Sequence, residues 1–407
     1  MNCRACGVKL NIIFLDLVSS PPSNAYLSLV QISAPEIYYP LKVYVCEHCF
    51  LVQLEDFAGR ENLFTPDYVY FSSTSSSWLK HAKDYVNNIT KRLKLDSSSS
   101  VLEIACNDGY LLQYFKEKHI PCYGVEPTHD TAAVAKTKGI FIVEEFFDST
   151  LAETLVKSNG KSNLVICNNV LAHVPDLTGF IGGLKRILKA QGTITIEVPY
   201  IKRLMEDSQF DTIYHEHFSY FSLTSLIPVF NNFGLTIYDV DELTTHGGSI
   251  RIYCQHSEEH IQQSQMLKKL VLSEFTAGIN TLAFYSGFQN KVNLVKNTFL
   301  SFLLTARSQN KTVVAYGAAA KGNTLINYCG IKSDLIPYVV DKAPSKIGKF
   351  LPGSHIPVMP EDIIKELQPD YILILPWNIK EEVMDQLAYI RTWKAKFVVA
   401  IPKLHIY

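Results

Sequence analysis

The sequence predicts an α/β protein of three parts. Two stretches of the chain, residues 101–198 and 312–401, alternate apolar strand-like runs with segments of helical periodicity. Such alternation is typical of mostly parallel sheets with right-handed crossovers. A third stretch, at the N-terminus, contains four cysteines and several prolines but few helical signals. We therefore expect a small cysteine-rich domain followed by two Rossmann-like α/β units.

Length and charge exclude several classes of protein. With 407 residues, the chain is too long for one core, which favours two or three domains. Its formal net charge of −1 gives no basic field and argues against nucleic-acid binding. No run approaches the roughly 18 consecutive apolar residues of a membrane helix, and no secretory signal is visible. We expect a cytoplasmic protein without membrane contact. The oligomeric state stays open, and a monomer is compatible with the sequence.

Two Cys-x-x-Cys pairs indicate a metal site near the N-terminus. Cys3 and Cys6 form one pair, and Cys46 and Cys49 form the other. Thiolates at this spacing turn toward one ion, and two pairs complete a closed, structural zinc site. The gap between the pairs exceeds the usual zinc-ribbon spacing, so a long insertion must loop out. Unliganded thiols or a disulfide are the alternative, which a reducing cytosol disfavours.

Periodicity divides the chain into four segments. They are a zinc-binding domain at 1–65, a central α/β domain at 66–262, a helical bridge at 263–310 and a C-terminal Rossmann-like domain at 311–407. Within the bridge, residues 265–309 lack clear turn signals and are predicted to be helical. The predicted strands of the two α/β units are 101–105, 122–126, 163–167, 192–198, 312–316, 336–340, 371–375 and 397–401.

Polar residues follow successive strands of the central unit. The stretch from Glu103 to Gly109 ends one strand and opens a helix, whose N-terminus favours a negative group such as the carboxylate of S-adenosylmethionine (SAM). Glu126 ends the next strand, about 20 residues on, where a carboxylate binds ribose hydroxyls. An aromatic ring is expected over the adenine. The predicted cofactor residues are Glu103, Asn107, Gly109, Glu126, Phe146, Phe147 and Asn168. The alternative is that the acids are plain strand-end charges and the phenylalanines belong to the core.

The segment from Asp211 to Phe221 concentrates imidazoles, carboxylates and phenols. His215, Glu216 and His217 lack the His-Glu-x-x-His spacing of zinc proteases. A histidine suits general-base catalysis near neutral pH, and a neighbouring glutamate tunes it. An extended chain would place both histidines on one face, whereas a turn would let them converge. A metal site on the two histidines and a polar surface turn are alternatives.

Two further patches are candidates for substrate contact. His246 and Arg251, in the run from Thr245 to Arg251, suit a polar or phosphorylated substrate, or belong to a plain surface turn. In the C-terminal unit, the loop from Gly317 to Gly322 lacks the three-glycine dinucleotide fingerprint, although Asp341 lies at the expected distance. The sequence therefore leaves a dinucleotide site possible there without favouring it.

These pieces, in this order, resemble the bacterial sugar C-methyltransferases that act at C-3 of nucleotide-linked 4-keto-deoxysugars. The resemblance covers nearly the whole chain. It rests on the cysteine pairs, the Glu103–Gly109 stretch, the Tyr214–His217 signature followed by His246-Gly247-Gly248-Ser249, and the Val314–Asn323 stretch with Asp341-Lys342. It implies a SAM-dependent methyltransferase in the central domain, a structural zinc ion, and an extra Rossmann-like domain that helps hold the substrate's nucleoside diphosphate. That nucleotide is expected to be deoxythymidine diphosphate or a similar one.

The resemblance also assigns roles to residues. It implies that His217 is the general base that removes the C-3 proton, and that the resulting enolate attacks the methyl group. It implies supporting roles for His173, Tyr214, Glu216 and Tyr68, with Tyr70 as the alternative to Tyr68, and places Lys321 near a substrate phosphate. Ala105-Cys106 replaces the usual first residue of the glycine motif. An NAD(P)-dependent sugar oxidoreductase, a non-catalytic zinc adaptor and methylation of oxygen or nitrogen are the rival functions.

Overall fold

The computed structural model, which describes residues 1–57, 59 and 71–407, contains three β-sheets joined by helices. In chain order, its strands are β1 Ile12–Ser20, β2 Tyr39–Val45, β3 Val52–Leu54, β4 Val101–Ile104, β5 Cys122–Val125, β6 Phe141–Val143, β7 Ser162–Asn168, β8 Leu188–Pro199, β9 Ser219–Tyr220, β10 Leu235–Leu243, β11 Ser249–His256, β12 Val313–Tyr316, β13 Val339–Val340, β14 Val358–Met359, β15 Tyr371–Ile374, β16 Lys396–Val399 and β17 His405–Ile406. Its α-helices are α1 Ser76–Leu93, α2 Leu112–Glu117, α3 His129–Thr137, α4 Ser149–Asn159, α5 Leu177–Ile187, α6 Ile201–Glu206, α7 Leu223–Asn232, α8 Gln265–Ala277, α9 Leu282–Tyr285, α10 Phe288–Ser308, α11 Ala320–Cys329, α12 Ile363–Leu367 and α13 Lys380–Gln386.

The front sheet joins the cysteine-rich segment to the histidine-rich one. It is antiparallel, with the order β1-β2-β3-β9. Its last strand belongs to the segment that carries the histidines, and Tyr220 there pairs with Val52. The Leu54 N–H also donates to the Phe218 carbonyl at 2.9 Å. Because of this pairing, the front part of the chain fixes the position of the turn that precedes β9.

The central sheet has the order β10-β11-β8-β7-β4-β5-β6. Strands β4 to β8 pair in parallel, and β10 and β11 add an antiparallel edge next to β8. The parallel strands are buried on both faces, which explains their continuous apolar runs. The predicted alternation of strand and helix is confirmed here, although β8 begins at Leu188, earlier than predicted.

The bridge after β11 is helical, as predicted, and it is divided into three helices by turns that the prediction did not include. Gly278 ends α8 in a left-handed conformation with φ of +82°. Gly287, with φ of +76°, precedes α10 in the same conformation. Glycine adopts this conformation at little steric cost, so the two glycines were the turn signals in this segment.

The back sheet has the order β14-β13-β12-β15-β16-β17 and is parallel except for β17. Its second strand, β13, is shorter than the predicted 336–340 because Pro337 has no N–H to donate to a neighbouring strand. The front sheet, α10 and this back sheet bury their apolar faces in one shared core. Within it, the Phe14 ring stacks on Phe288 with centroids 5.1 Å apart. No helix among the described residues is long and apolar enough to cross a bilayer.

Candidate active site

The four cysteines of the two N-terminal pairs lie within reach of one ion. Cys3 Sγ is 3.5 Å from Cys49 Sγ, and Cys6 Sγ is 3.6 Å from Cys46 Sγ. Zinc–sulfur bonds of about 2.3 Å in a tetrahedron separate the sulfurs by about 3.8 Å, so the thiols are nearly in place. No disulfide joins them. The donor set fits a structural zinc ion, as predicted, and within the described ranges no other such group can hold a metal.

A cavity of about 360 Å³ lies where the front, central and back parts of the chain meet. We call it the central cavity. The central sheet supplies residues that follow β4, β5 and β7. The histidine-rich segment supplies Tyr214, Glu216 and His217, while Asn24 comes from the front part. Lys321 and Lys346 come from the back part, so no single domain forms this cavity alone.

The loop after β4 turns sharply through left-handed backbone conformations. The φ angle is +53° at Ala105, +49° at Asn107 and +74° at Gly109. A Cβ at Gly109 would lie 2.6 Å from Ile140 Cδ1, so only glycine fits there. Ala105 stands where a glycine was expected and adopts the glycine-like conformation at a cost of about 1 kcal/mol. The loop keeps its shape despite that replacement.

Glu126 holds this loop from the end of the neighbouring strand. Its Oε2 accepts the Asn107 N–H at 2.9 Å, and its Oε1 accepts the Thr128 N–H at 3.0 Å. The Asn107 Oδ1 accepts the Ser72 N–H at 2.8 Å, which ties the loop to the start of α1. Burial raises the pKa of Glu126 despite these hydrogen bonds. The carboxylate therefore sits at the cavity wall in a dry setting, where its hydrogen bonds are strong.

The other predicted cofactor residues divide into two groups. The ones that line the cavity are Phe146, Phe147 and Asn168. Phe147 is only 6% exposed and packs edge-on against Phe180, so much of its ring belongs to the core. Glu103 and Gly109 do not line the cavity. Glu103 is buried within β4, and burial raises its pKa well above the usual range. Glu103 lies in the strand and Gly109 in the loop that follows it, and neither faces the ligand space.

His217 is held as a neutral imidazole with one defined tautomer. Its Nδ1 lies 2.9 Å from the Thr212 carbonyl, which only accepts hydrogen bonds, so Nδ1 carries the proton. Its Nε2 is then an acceptor, and the Tyr214 hydroxyl donates to it at 2.9 Å. Burial and the nearby His173 lower the pKa of His217 well below its usual value. The side chain therefore presents a basic nitrogen at neutral pH.

His173 lies directly beside this imidazole. Its ring centroid is 4.6 Å from that of His217, in an edge-on arrangement. Burial lowers the pKa of His173 to about 4, so it is neutral near pH 7. A positive charge on one imidazole would oppose protonation of the other, which contributes to the low pKa of His217. His173 lines the central cavity, where it was predicted to support the site.

His215 and Glu216 point to different parts of the molecule. Glu216 accepts hydrogen bonds from the Asn24 Nδ2, at 2.8 Å to Oε1 and 2.9 Å to Oε2, and lines the cavity. His215 lies against the front sheet, 3.3 Å from the Pro40 carbonyl, and packs on Tyr39. His215 and His217 therefore do not converge, and among the described residues they form no group that can hold a metal.

His246 faces the cavity from a strained turn. Its φ is +54°, in the left-handed region. Its Nε2 lies 3.0 Å from the Asn169 Nδ2, and its ring is 5.0 Å from that of Trp78. Burial lowers its pKa to about 4. The structure thus places this predicted substrate residue at the cavity, as a neutral side chain.

Arg251 lies elsewhere. It sits within β11, its Nη2 is 2.5 Å from Glu197 Oε2, and its guanidinium covers the Tyr85 ring at 4.3 Å. Although burial raises it, Arg251 and His81 together lower the pKa of Glu197 to about 2. Arg251 does not line the central cavity. Its charge is paired with the buried Glu197 carboxylate. The sequence around Arg251 did not indicate this ion pair.

Two half-buried lysines supply the positive charge of the cavity. Lys321 Nζ donates to Asn378 Oδ1 at 2.6 Å and lies 4.7 Å from the centroid of the Trp377 ring. Lys346 Nζ donates to the Ala318 carbonyl at 2.7 Å. Burial lowers the pKa of both lysines. Lys346 Nζ also lies 3.7 Å from Asp341 Oδ2. Lys321 forms no ion pair among the described residues, so an anionic ligand would find its charge the less neutralised of the two.

Sequence reasoning missed Asn24 and Lys346. Asn24 follows Pro21-Pro22-Ser23, in a turn after β1. It was missed because the N-terminal domain was expected to have only a structural role. Lys346 belongs to a polar loop after Asp341 without a recognisable motif. The predicted Tyr68, and its alternative Tyr70, lie outside the described residues.

Comparison with known proteins covers all three parts of the chain. Residues 3–64 match a family model for a zinc binding domain, residues 78–240 match one for a methyltransferase domain, and residues 244–402 match the C-methyltransferase C-terminal domain. The C-methyltransferase NovU of Streptomyces niveus is 31% identical over 356 residues, which span 88% of this chain and 84% of NovU. The chain belongs to the C-methyltransferase family. It is a SAM-dependent enzyme with a zinc-binding N-terminal domain, and the oxidoreductase and adaptor alternatives are wrong.

Solved structures match this C-methyltransferase over less than half of its length. The PH0226 protein of Pyrococcus horikoshii OT3 is 14% identical with a TM-score of 0.38, and the match covers 46% of this chain and 95% of that one. The magnesium protoporphyrin IX methyltransferase of Synechocystis PCC 6803 is 14% identical with a TM-score of 0.33, and covers 44% and 80% respectively.

Proposed function

We propose that this C-methyltransferase transfers a methyl group from SAM to C-3 of a nucleotide-linked 4-keto-deoxyhexose, in the biosynthesis of a branched-chain deoxysugar. One observation carries the proposal: His217, whose Nε2 is unprotonated, lines the same cavity as Glu126 and the loop after β4. A carbon nucleophile must be generated next to the methyl donor, and this arrangement puts both tasks in one space.

The crevice at the carboxyl ends of β4, β5 and β7 suits the methyl donor. SAM supplies a methyl group on a positively charged sulfur. Glu126 is placed to accept hydrogen bonds from ribose hydroxyls, and Phe146 to cover the adenine. Asn107 and Asn168 offer polar contacts along the same wall. Glu103 and Gly109 act indirectly, by shaping the loop.

The histidine-rich segment suits removal of the C-3 proton. A ketone at C-4 acidifies that proton, and His217 Nε2 accepts it. The Tyr214 hydroxyl, which donates to Nε2 in this structure, is then available for the C-4 oxygen, where negative charge develops. The low pKa of His217 keeps it deprotonated before the step. The enolate charge formed beside it favours the imidazolium during the step.

The back side of the cavity suits the nucleotide of the substrate. We assign Lys321 and Lys346 to the diphosphate, since two half-buried ammonium groups on one wall favour a doubly charged anion. His173, which is beside His217, and His246 line the same cavity and would contact the sugar. Arg251 supports this wall indirectly, through its ion pair with Glu197.

Mass spectrometry of a panel of nucleotide sugars incubated with SAM tests this function. The panel pairs each 4-keto-deoxyhexose with its 4-hydroxy counterpart. We expect one added methylene unit on the 4-keto compound alone, mapped to C-3 by fragmentation. Transfer to an oxygen or nitrogen atom, or equal transfer to the 4-hydroxy compound, would contradict enolate chemistry.

A further inference from the structure

We propose that Trp377 is a positioning residue for the general base, acting across the boundary between the back domain and the central domain. The proposal rests on the proposed role of His217. Trp377 is in a short helical turn after β15, more than 150 residues from His217 in sequence. Trp377 belongs to no recognisable motif. It acts on His217 through the segment Asp211–Ile213, to which its indole N–H is hydrogen-bonded.

That segment is held at three successive residues. The Asp211 Oδ2 accepts the indole N–H of Trp377 at 2.7 Å. The Thr212 carbonyl accepts the Nδ1–H of His217 at 2.9 Å. The Ile213 carbonyl accepts the Thr324 hydroxyl at 2.9 Å. The carbonyl that fixes the base is therefore flanked on both sides by hydrogen bonds from the back domain.

The position of this carbonyl decides which imidazole nitrogen is basic. While the Thr212 oxygen faces Nδ1, the proton stays on Nδ1 and Nε2 is left as the acceptor. If the carbonyl moves away, the proton is no longer confined to Nδ1. A fraction of the histidine then carries it on Nε2, which cannot act as a base toward the cavity. Trp377 thus controls a tautomer without touching the imidazole.

The same indole contacts two other parts of the cavity wall. Its ring lies under Lys321, with Nζ 4.7 Å from the centroid. It also lies so close to the His246 turn that a Cβ at Gly247 would be 2.3 Å from the Trp377 Cη2 atom. One rigid side chain therefore fixes the lysine proposed for the phosphates, the His246 turn and the carbonyl that holds the base.

Replacement of Trp377→Phe removes the indole N–H and keeps an aromatic ring. Trp393→Phe is the matched control, because Trp393 also donates its indole N–H within the back domain, to the Pro369 carbonyl at 3.1 Å. Selective ¹⁵N labelling of histidine reports the His217 tautomer by long-range proton–nitrogen NMR without any substrate, with His217→Asn to assign the signal. We expect a single Nδ1–H tautomer in the native protein and in Trp393→Phe, and a mixture in Trp377→Phe.

Kinetics give the second readout. We expect Trp377→Phe to lower kcat about tenfold or more, since a shift of about 1 Å in a catalytic group costs up to about a hundredfold. The KM for SAM should change less than about twofold. If Trp377→Phe does not fold, Thr324→Val tests the other flank, with a smaller shift in the same direction. A pure Nδ1–H tautomer in both variants overturns the proposal. Failure of His217→Asn to lower activity would instead refute the base assignment, and the NMR result would still stand.

Discussion

Two crevices at the carboxyl ends of parallel strands face the central cavity, one in the central sheet and one in the back sheet. In the first, Glu126 accepts the N–H groups of Asn107 and Thr128 at 2.9 and 3.0 Å. In the second, Asp341 accepts those of Ala318 and Ala343, both at 2.7 Å. In each sheet, the carboxylate follows one strand (β5 or β13) and accepts a backbone N–H from the loop after the preceding strand in the pair (β4 or β12). It also accepts the backbone N–H of the residue two positions after itself.

The two crevices share this loop-binding carboxylate but differ in the charges around it. The lysines that line the cavity, Lys321 and Lys346, both belong to the back side, whereas the lining near Glu126 is acidic or uncharged, with apolar residues such as Val125 and Phe146. An acidic residue at this position is therefore a property of the loop geometry and does not by itself indicate a dinucleotide. Ligand chemistry follows the neighbours: neutral and acidic groups suit a sulfonium nucleoside, and two ammonium groups suit a diphosphate.

Replacing Glu126→Gln should weaken ligand binding in the first crevice and leave binding in the second unchanged. The substitution keeps the shape but removes the charge from the hydrogen bonds to ribose and to the loop. We expect the Kd for SAM to rise about a hundredfold, in line with about 3 kcal/mol for charge-assisted hydrogen bonds. Calorimetry with SAM and with nucleoside diphosphate measures both sites. An equal loss of both ligands would show that the crevices are not independent.

Replacing Lys321→Met should produce the reverse pattern. It removes one ammonium group while keeping an unbranched side chain over the Trp377 ring. We expect affinity for a nucleoside diphosphate to fall about thirtyfold, with SAM binding unchanged. Lys342→Met is the matched control, because Lys342 is a neighbouring lysine whose side chain is 59% exposed. If the control loses as much affinity, general charge rather than the built site attracts the nucleotide.

The histidines between the crevices should give the protein an acid-sensitive stability. Burial lowers the pKa of His173 to about 4, so the folded state stays neutral where the unfolded state already binds a proton. Stability is therefore full above about pH 6.5 and falls as pH drops toward 4. We expect His173→Asn to remove up to about 3 kcal/mol of this pH dependence in urea unfolding curves, at about 1.4 kcal/mol per pKa unit. His405→Asn, at an exposed position, should leave the curve unchanged. If both variants had the same pH dependence of stability, His173 would not be a source of it.

The smallest effect is expected at the front edge of the cavity. Asn24→Ala removes both hydrogen bonds to Glu216 and leaves the residues of both crevices unchanged. We expect kcat to fall about fivefold, equivalent to about 1 kcal/mol, with both ligand affinities preserved. Steady-state kinetics with calorimetry separate these quantities. A loss of SAM affinity instead would mean that the front loop shapes the first crevice.

Local periodicity predicted the two α/β units and the helical bridge, because strands, helices and glycine turns follow from neighbouring residues. The positions of Glu126 and His217 were predictable in the same way, from motifs that sit at strand ends and turns. Asn24, Lys346 and Trp377 were not, because their partners lie far away in the chain, brought close only by packing of the shared core. The ion pair between Arg251 and Glu197 shows the same limit. The domain bounds stay a prediction, and β9 joins the front sheet although it lies within the predicted central domain.

Exchange of the sugar C-3 proton with deuterated solvent, in the absence of SAM, tests the central claim most directly. The native enzyme and His215→Asn should exchange that proton at similar rates, because His215 contacts the front sheet outside the cavity. His217→Asn should exchange it at least about a hundredfold more slowly, as expected for loss of a general base. Exchange at the native rate in His217→Asn would contradict the account.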